Sequence, residues 1–323
     1  MFPFYTLDTL AAAVQLDPPA RLSVFGDPVA HSLSPQMHDP ALMACGLDAR
    51  YVRLQVATAE FLKALRAIRD LGFIGTNVTI PHKFTALDSV DEVDPAARRL
   101  GAVNTILLRP DGSALGRNSD GPGYVRTVQE EFGVPVRELR ILLLGAGGGA
   151  GGAVAVQSAL EGCRQLTLTN RTPTKAEAVA HSLRDLLPGD RCRTVPWTPH
   201  AMATVLPEID LIINGTSLGM SPEDPPLIPD GILTARHLVY DMVYKPLITP
   251  LVAAARAAGA QAINGLPMLL WQGVQSFEWW FDRPAPVTAM REGLEAAVSA
   301  SPVPSQVSPP PASPGDRVQS GTG

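Results

Sequence analysis

Arg140-Ile141-Leu142-Leu143-Leu144-Gly145-Ala146-Gly147-Gly148-Gly149-Ala150-Gly151-Gly152 is an apolar run of strand length that feeds a glycine-rich turn. A helix to about Leu160 follows the turn. Strand, glycine turn and helix start together make an anion site. Glycines let the backbone approach a pyrophosphate, and the helix N-terminus offers free N–H groups and a partial positive charge. Gly145, Gly147 and Gly148 are the turn candidates, with Ala146 and Gly149 beside them. A bare GxG is weak evidence, but the flanking strand and helix raise it to a dinucleotide site.

Downstream, Gln165–Thr169 reads as the next strand, residues 174–187 as a helix, and 210–213 and 237–242 as further strands. This β-α-β order predicts a parallel sheet with helices on both faces, a doubly wound Rossmann-type nucleotide-binding domain. The end of the second strand selects the cofactor. A carboxylate there would bond the 2′-hydroxyl of NAD. The chain instead has Asn170-Arg171-Thr172, with Lys175 beyond. Two cations and no acid suit the 2′-phosphate of NADP.

Upstream, strand and helix signals alternate over about 100 residues, enough for a second, N-terminal α/β domain. Strands are expected at 21–26, 51–56 and 73–80, and a hairpin at 104–109 and 114–118 around Asp111-Gly112. Ser34 and Thr58 read as helix N-caps, Asp94-Pro95 opens a short helix, and another runs from Asp120 to Phe132. Two apolar helices, 267–281 and 287–300, close the fold. A short helix is expected in the leader around 7–16, and residues 301–323, with 6 Pro, 5 Ser and 3 Gly, are expected to be disordered.

Composition excludes several classes. The net charge of -5, from 26 basic and 31 acidic residues, gives no broad basic face, so nucleic acid is not an expected partner. Cys45, Cys163 and Cys192 are far apart and odd in number, which builds neither a zinc site nor a disulfide framework. No metal is expected. No apolar run of about 18 residues suggests a membrane span, and the first 20 residues lack a basic n-region. The expectation is a cytoplasmic protein, monomer or homodimer.

Nine motifs then stand in one order. They are Phe25-Gly26-Asp27-Pro28-Val29-Ala30-His31-Ser32-Leu33-Ser34-Pro35, Asn77-Val78-Thr79-Ile80-Pro81-His82-Lys83, Gly101-Ala102-Val103-Asn104-Thr105, Asn118-Ser119-Asp120-Gly121, the glycine turn, Asn170-Arg171-Thr172, Asn214-Gly215-Thr216-Ser217, Tyr240-Asp241-Met242-Val243-Tyr244 and Gly265-Leu266-Pro267-Met268-Leu269-Leu270-Trp271-Gln272. From about residue 21 to 300 the chain resembles the shikimate dehydrogenases. The resemblance implies NADP-dependent, reversible interconversion of 3-dehydroshikimate and shikimate. It makes Lys83 the acid/base and Asp120 its neighbour in the hydrogen-bond network. A carbonyl that accepts a hydride at carbon must gain a proton at oxygen, which gives such a group its task. Asp120 alone would raise the lysine's pKa, so orienting is its more natural role. Ser32, Ser34, Thr79, Asn104, Tyr244 and Gln272 match substrate contacts, and Thr216, Ser217, Met242 and Gly265 match cofactor contacts. On the residues alone, Ser34 and Asp120 also read as caps, Asn77 as a strand-end residue, and Met242 as core.

The implied organisation is a substrate domain of about 21–119 plus 263–300 and a nucleotide domain of about 120–262. His31 and His82 have no metal-ligand partners at suitable spacing and read as structural, and Trp271, Trp279 and Trp280 as packing aromatics. The chain departs from the family pattern at Arg117, Ser119, Gly151, Gly152, Gly215, Pro267 and Trp271. These departures leave open quinate or an aminoshikimate relative, with NAD or NADP, and more remotely a non-catalytic nucleotide sensor.

Overall fold

The computed structural model describes residues 4–147, 149–221 and 223–300. Gly148 and the 301–323 tail therefore lie outside the described residues. The N-terminal sheet contains β1 (Phe4–Tyr5), β2 (Ala20–Gly26), β3 (Arg50–Gln55), β4 (Gly75–Val78), β5 (Glu92–Val93), β6 (Thr105–Leu108) and β7 (Ala114–Arg117). Its order is β1-β3-β2-β4-β6-β7-β5. The β4–β6 and β6–β7 pairs are antiparallel and the others parallel. The second sheet contains β8 (Arg140–Leu144), β9 (Gln165–Thr169), β10 (Cys192–Thr194), β11 (Leu211–Asn214), β12 (Leu238–Asp241) and β13 (Gln261–Ile263). It is parallel throughout, in the order β10-β9-β8-β11-β12-β13.

The helices are α1 (Leu10–Ala13), α2 (Ser34–Ala44), α3 (Phe61–Asp70), α4 (Lys83–Ser89), α5 (Pro95–Leu100), α6 (Asp120–Phe132), α7 (Gly149–Leu160), α8 (Pro173–Ser182), α9 (Pro199–Val205), α10 (Pro250–Ala257), α11 (Leu266–Phe281) and α12 (Val287–Ser299). Among the described residues none is long and apolar enough to cross a membrane.

Continuous apolar strands need cover on both faces. In β8, Ile141 and Leu143 join one core with Val154 and Leu168, while Leu142 and Leu144 join another with Met202, Leu206 and Val252. The N-terminal sheet is treated likewise. Phe25 and Leu54 pack with α3 through Phe61, Leu65 and Ile68, and Leu22, Val24 and Tyr51 pack with α2, α11 and α12. The C-terminal helices thus return to cover the first sheet. Gly123 of α6 sits so close to α11 that a Cβ there would meet the backbone of Gln272.

Several local expectations shift. The leader contributes more than a helix: β1 pairs with β3, and Leu10 and Ala13 enter the core ahead of residue 21. Ser34 is not a cap. It lies inside the first turn of α2, after Leu33, and makes no capping bond, which leaves its hydroxyl free to face elsewhere. Thr58 starts a 3₁₀ turn, Thr58–Glu60, rather than capping α3. Helix α8 ends at Ser182, short of 187. Asp94 does cap α5, accepting from the Ala96 N–H, and Gly101 ends that helix at φ 68°.

Candidate active site

Helix α6 begins at Asp120, a position whose negative charge the helix dipole favours. The Asp120 N–H donates to Asn118 Oδ1 at 3.0 Å, and Asn118 Nδ2 donates to the Ala102 carbonyl at 2.9 Å. Lys83 opens α4 and places its Nζ 2.6 Å from Asp120 Oδ2. The two side chains are only 18% and 10% exposed, so little water competes for the pair.

This pair lines a cavity of about 230 Å³ that also takes Ser32, Ser34, Thr79, Asn104, Tyr244 and Gln272. All eight expected catalytic and substrate positions therefore converge. His31 also lines the cavity. His82 does not: it is buried, with Nε2 2.7 Å from the Val56 carbonyl.

Buried hydrogen bonds orient several of these groups. Asn104 Oδ1 accepts from the Ser119 N–H at 2.7 Å and from the Thr105 and Ser119 hydroxyls at 3.0 and 3.2 Å. A backbone N–H can only donate, so this end of the amide must be oxygen. Among the described residues the Asn104 Nδ2 group then has no bond to compete with a ligand oxygen. Asn77 supports the same floor. Its Oδ1 accepts from Tyr51 at 2.8 Å, and its Nδ2 reaches Thr105 and Ser276 at 3.1 and 3.0 Å. The Ser32 hydroxyl donates to that of Ser34 at 3.1 Å. Behind them Arg53, 2% exposed, donates to the Ser32 carbonyl from Nε at 2.8 Å and also from Nη2. Burial pushes the Tyr244 phenol above its ordinary pKa, which keeps it a donor.

A second cavity of about 490 Å³ is lined by Gly145, Gly147, Gly149, Asn170, Arg171, Lys175, Thr216 and Ser217. It lies where the chain runs from β8 to β9 on one side while β11 lies on the other, the switch point at which doubly wound sheets bind ligands. Gly145 adopts φ 89°, which L side chains rarely do. A Cβ on Gly151 would meet the Gly145 carbonyl oxygen, so α7 can approach the turn only through glycine. Asn214 fixes the facing loop. Its Nδ2 donates to Asp241 Oδ1 at 2.8 Å, and its Oδ1 accepts from the N–H and hydroxyl of Thr216. The Arg171 and Lys175 side chains are exposed and unpaired among the described residues.

Four expected cofactor positions fall elsewhere. Ala146 is fully buried in the core, and Thr172 precedes α8 and does not line the cavity. Met242 and Gly265 line the first cavity. Phe84, Trp197, Gly215 and Leu218 line the second without having been singled out for it. Lys83 and Phe84, and likewise Ala150 and Gly149, are consecutive residues divided between the two cavities, which therefore meet at the starts of α4 and α7. A larger cavity of about 560 Å³ between residues 224–233 and α10 shares no residue with either and is lined mostly by proline and aliphatic groups.

The model of the shikimate dehydrogenase substrate binding domain matches residues 24–106, and that of the shikimate 5′-dehydrogenase C-terminal domain matches residues 265–295. A shikimate dehydrogenase (NADP(+)) of Symbiobacterium thermophilum is 42% identical over 283 residues, covering 87% of this chain and 95% of that protein. The chain belongs to the shikimate dehydrogenase family. Among solved structures, the shikimate 5-dehydrogenase of Thermus thermophilus, in complex with NADP(H) and shikimate, matches at TM-score 0.76 and 35% identity, over 86% of this chain and 99% of that one. Quinate dehydrogenase from Corynebacterium glutamicum in complex with NAD matches at TM-score 0.77 and 29% identity, over 85% and 98%. In this shikimate dehydrogenase family member the Lys83–Asp120 pair sits where the two cavities meet.

Proposed function

We propose that the protein catalyses the NADP-dependent, reversible reduction of 3-dehydroshikimate to shikimate, an oxidoreductase reaction on a CH–OH group. The observation that carries this reading is the Lys83–Asp120 contact of 2.6 Å at the junction of a polar cavity and a glycine-turn cavity. Residues 21–119 with 263–300 form the substrate domain in this reading, and 120–262 the nucleotide domain. A cytoplasmic location and a monomeric or homodimeric state belong to the same reading.

The second cavity fits NADP. Gly145, Gly147 and Gly149 offer backbone approach at the start of α7, and Arg171 and Lys175 offer two unpaired cations for a 2′-phosphate. NADPH, when bound, supplies the hydride. Lys83 Nζ gives a proton to the carbonyl oxygen as it becomes a hydroxyl, and takes it back in the reverse direction. Asp120 holds that Nζ in place. Ser34 donates to the substrate carboxylate, as does Ser32 once its hydroxyl turns from Ser34, and Asn104 Nδ2 donates to a ring oxygen. The walls formed by Val24, Val29, Met268 and Leu269 limit water.

The test is steady-state oxidation of shikimate and quinate with NADP and NAD, comparing kcat/KM across the four pairs. A clear preference for shikimate with NADP supports the reading. A preference for quinate or NAD overturns its specificity, and no turnover with any pair overturns the activity.

A further inference from the structure

The second sheet presents its carboxyl ends in a fixed spatial order. The glycine turn follows β8, Asn170 and Arg171 follow the neighbouring β9, and Trp197 comes three residues after the edge strand β10. All three sets line one cavity. Neighbouring strands are about 4.8 Å apart, so these groups step outward along one line. A dinucleotide's pyrophosphate sits at the glycine turn and its 2′-phosphate at the cations. The next group outward is the adenine. In the NADP reading the reacting end points the other way, toward the adjoining cavity that Lys83 lines.

Trp197 is suited to meet a planar base. Its indole packs against the core around Leu206 and Leu227, and Nε1 donates to the Leu227 carbonyl at 3.2 Å, which pins the ring. The ring is half-buried and lines the cavity. Phe84, the other aromatic there, adjoins Lys83 and so belongs to the reacting end. We propose that Trp197 forms the apolar wall against which the adenine of the cofactor lies, an assignment that rests on the NADP reading above. The residue then sets cofactor affinity without touching the hydride chemistry.

The probe is 2′,5′-ADP, which carries adenine and the 2′-phosphate but no nicotinamide. The chain has four tryptophans, and the other three, Trp271, Trp279 and Trp280, all lie on α11. Titration of the full-length protein with 2′,5′-ADP should change its tryptophan emission, and Trp197→Phe should abolish that change. By calorimetry, Trp197→Ala should weaken 2′,5′-ADP about tenfold, the scale of one base–aromatic stack, while Trp197→Phe stays within about threefold of the parent. In turnover, Trp197→Ala should raise KM for NADP and leave kcat and KM for shikimate unchanged, a split that a merely structural role would not give. If 2′,5′-ADP binds Trp197→Ala as tightly as the parent, or still changes emission in Trp197→Phe, the adenine assignment is overturned alone. If the parent binds neither 2′,5′-ADP nor NADP, the cofactor reading falls and takes this assignment with it.

Discussion

Around the Lys83–Asp120 cavity, Asn104 Oδ1 takes three donors and Asn77 is bonded at both ends of its amide. Across the Lys83–Phe84 junction, the cations Arg171 and Lys175 make no side-chain hydrogen bond or ion pair among the described residues. One region fixes its polar side chains by buried bonds among themselves. The other is held by close glycine packing at Gly145 and Gly151 and by the Asn214 bonds to Asp241 and Thr216, and it leaves its charges to solvent. The difference suits the two ligands of the proposed reaction. A small polyol is recognised by donors and acceptors at set angles, which costs least when the protein has already ordered them. A phosphate is recognised by charge, which long side chains can deliver after the ligand arrives.

Substitutions can break this contrast in graded steps. Lys83→Ala, at the junction of both regions, should lower kcat by about 10³-fold, the usual reach of general acid–base catalysis, while KM for shikimate changes far less. Initial rates at saturating NADP check this, and full turnover in the variant would remove Lys83 from the mechanism. On the nucleotide side, the pair Arg171→Ala and Lys175→Ala should cut kcat/KM for NADP by roughly 10- to 100-fold and leave NAD unchanged. Equal losses with both cofactors would contradict a 2′-phosphate site.

On the substrate side, Asn77→Ala should cost about 2 kcal/mol of stability, because the buried Tyr51 hydroxyl loses its acceptor and Ser276 loses a donor. Urea unfolding would measure it. Stability within a few tenths of the parent would mean that the network is not what orders this cavity.

The smallest effect at neutral pH concerns His38, which is buried against Tyr51 and has no hydrogen-bond partner on either ring nitrogen among the described residues. Burial lowers its pKa from 6.5 to about 3. The folded protein therefore keeps it neutral while the unfolded chain protonates it. The stability this provides is present above pH 6.5 and is lost as pH falls from 6.5 toward 3. His38→Phe removes both orphan nitrogens and should add about 1 kcal/mol at pH 7. Its advantage should widen on acidification through that window. Parallel urea midpoints for the two proteins between pH 7 and 4 would reject the burial argument.

Strongly patterned elements were legible in advance. Strands β8 and β9, the β6–β7 hairpin and helices α6, α11 and α12 lie within a residue or so of their expected bounds, because long apolar runs and explicit turn residues specify them locally. Strands β10 and β13 and helices α9 and α10 were not read. Strand β10 is Cys-Arg-Thr, three residues with no periodicity, and it becomes a strand only by pairing with β9. Nothing in the residues around Trp197 therefore marks it as bordering a cavity. Ser-Pro carries the local signal of a helix start at Ser34, but the helix takes Ser34 into its first turn with Leu33 at the N-cap.

The sequence by itself determined the class of fold, the glycine turn and the two cations in place of an acid. These depend on residue type and short spacing. Only the tertiary structure decided that Lys83 and Asp120, 37 residues apart, meet at 2.6 Å, and which end of the Asn104 amide accepts from Ser119. It also decided that Met242 and Gly265 border the Lys83–Asp120 cavity while Phe84 and Trp197 border the other. Contacts between distant segments depend on how two sheets and the returning helices α11 and α12 pack. That packing is a property of the whole hydrophobic core, and no short stretch of chain encodes it.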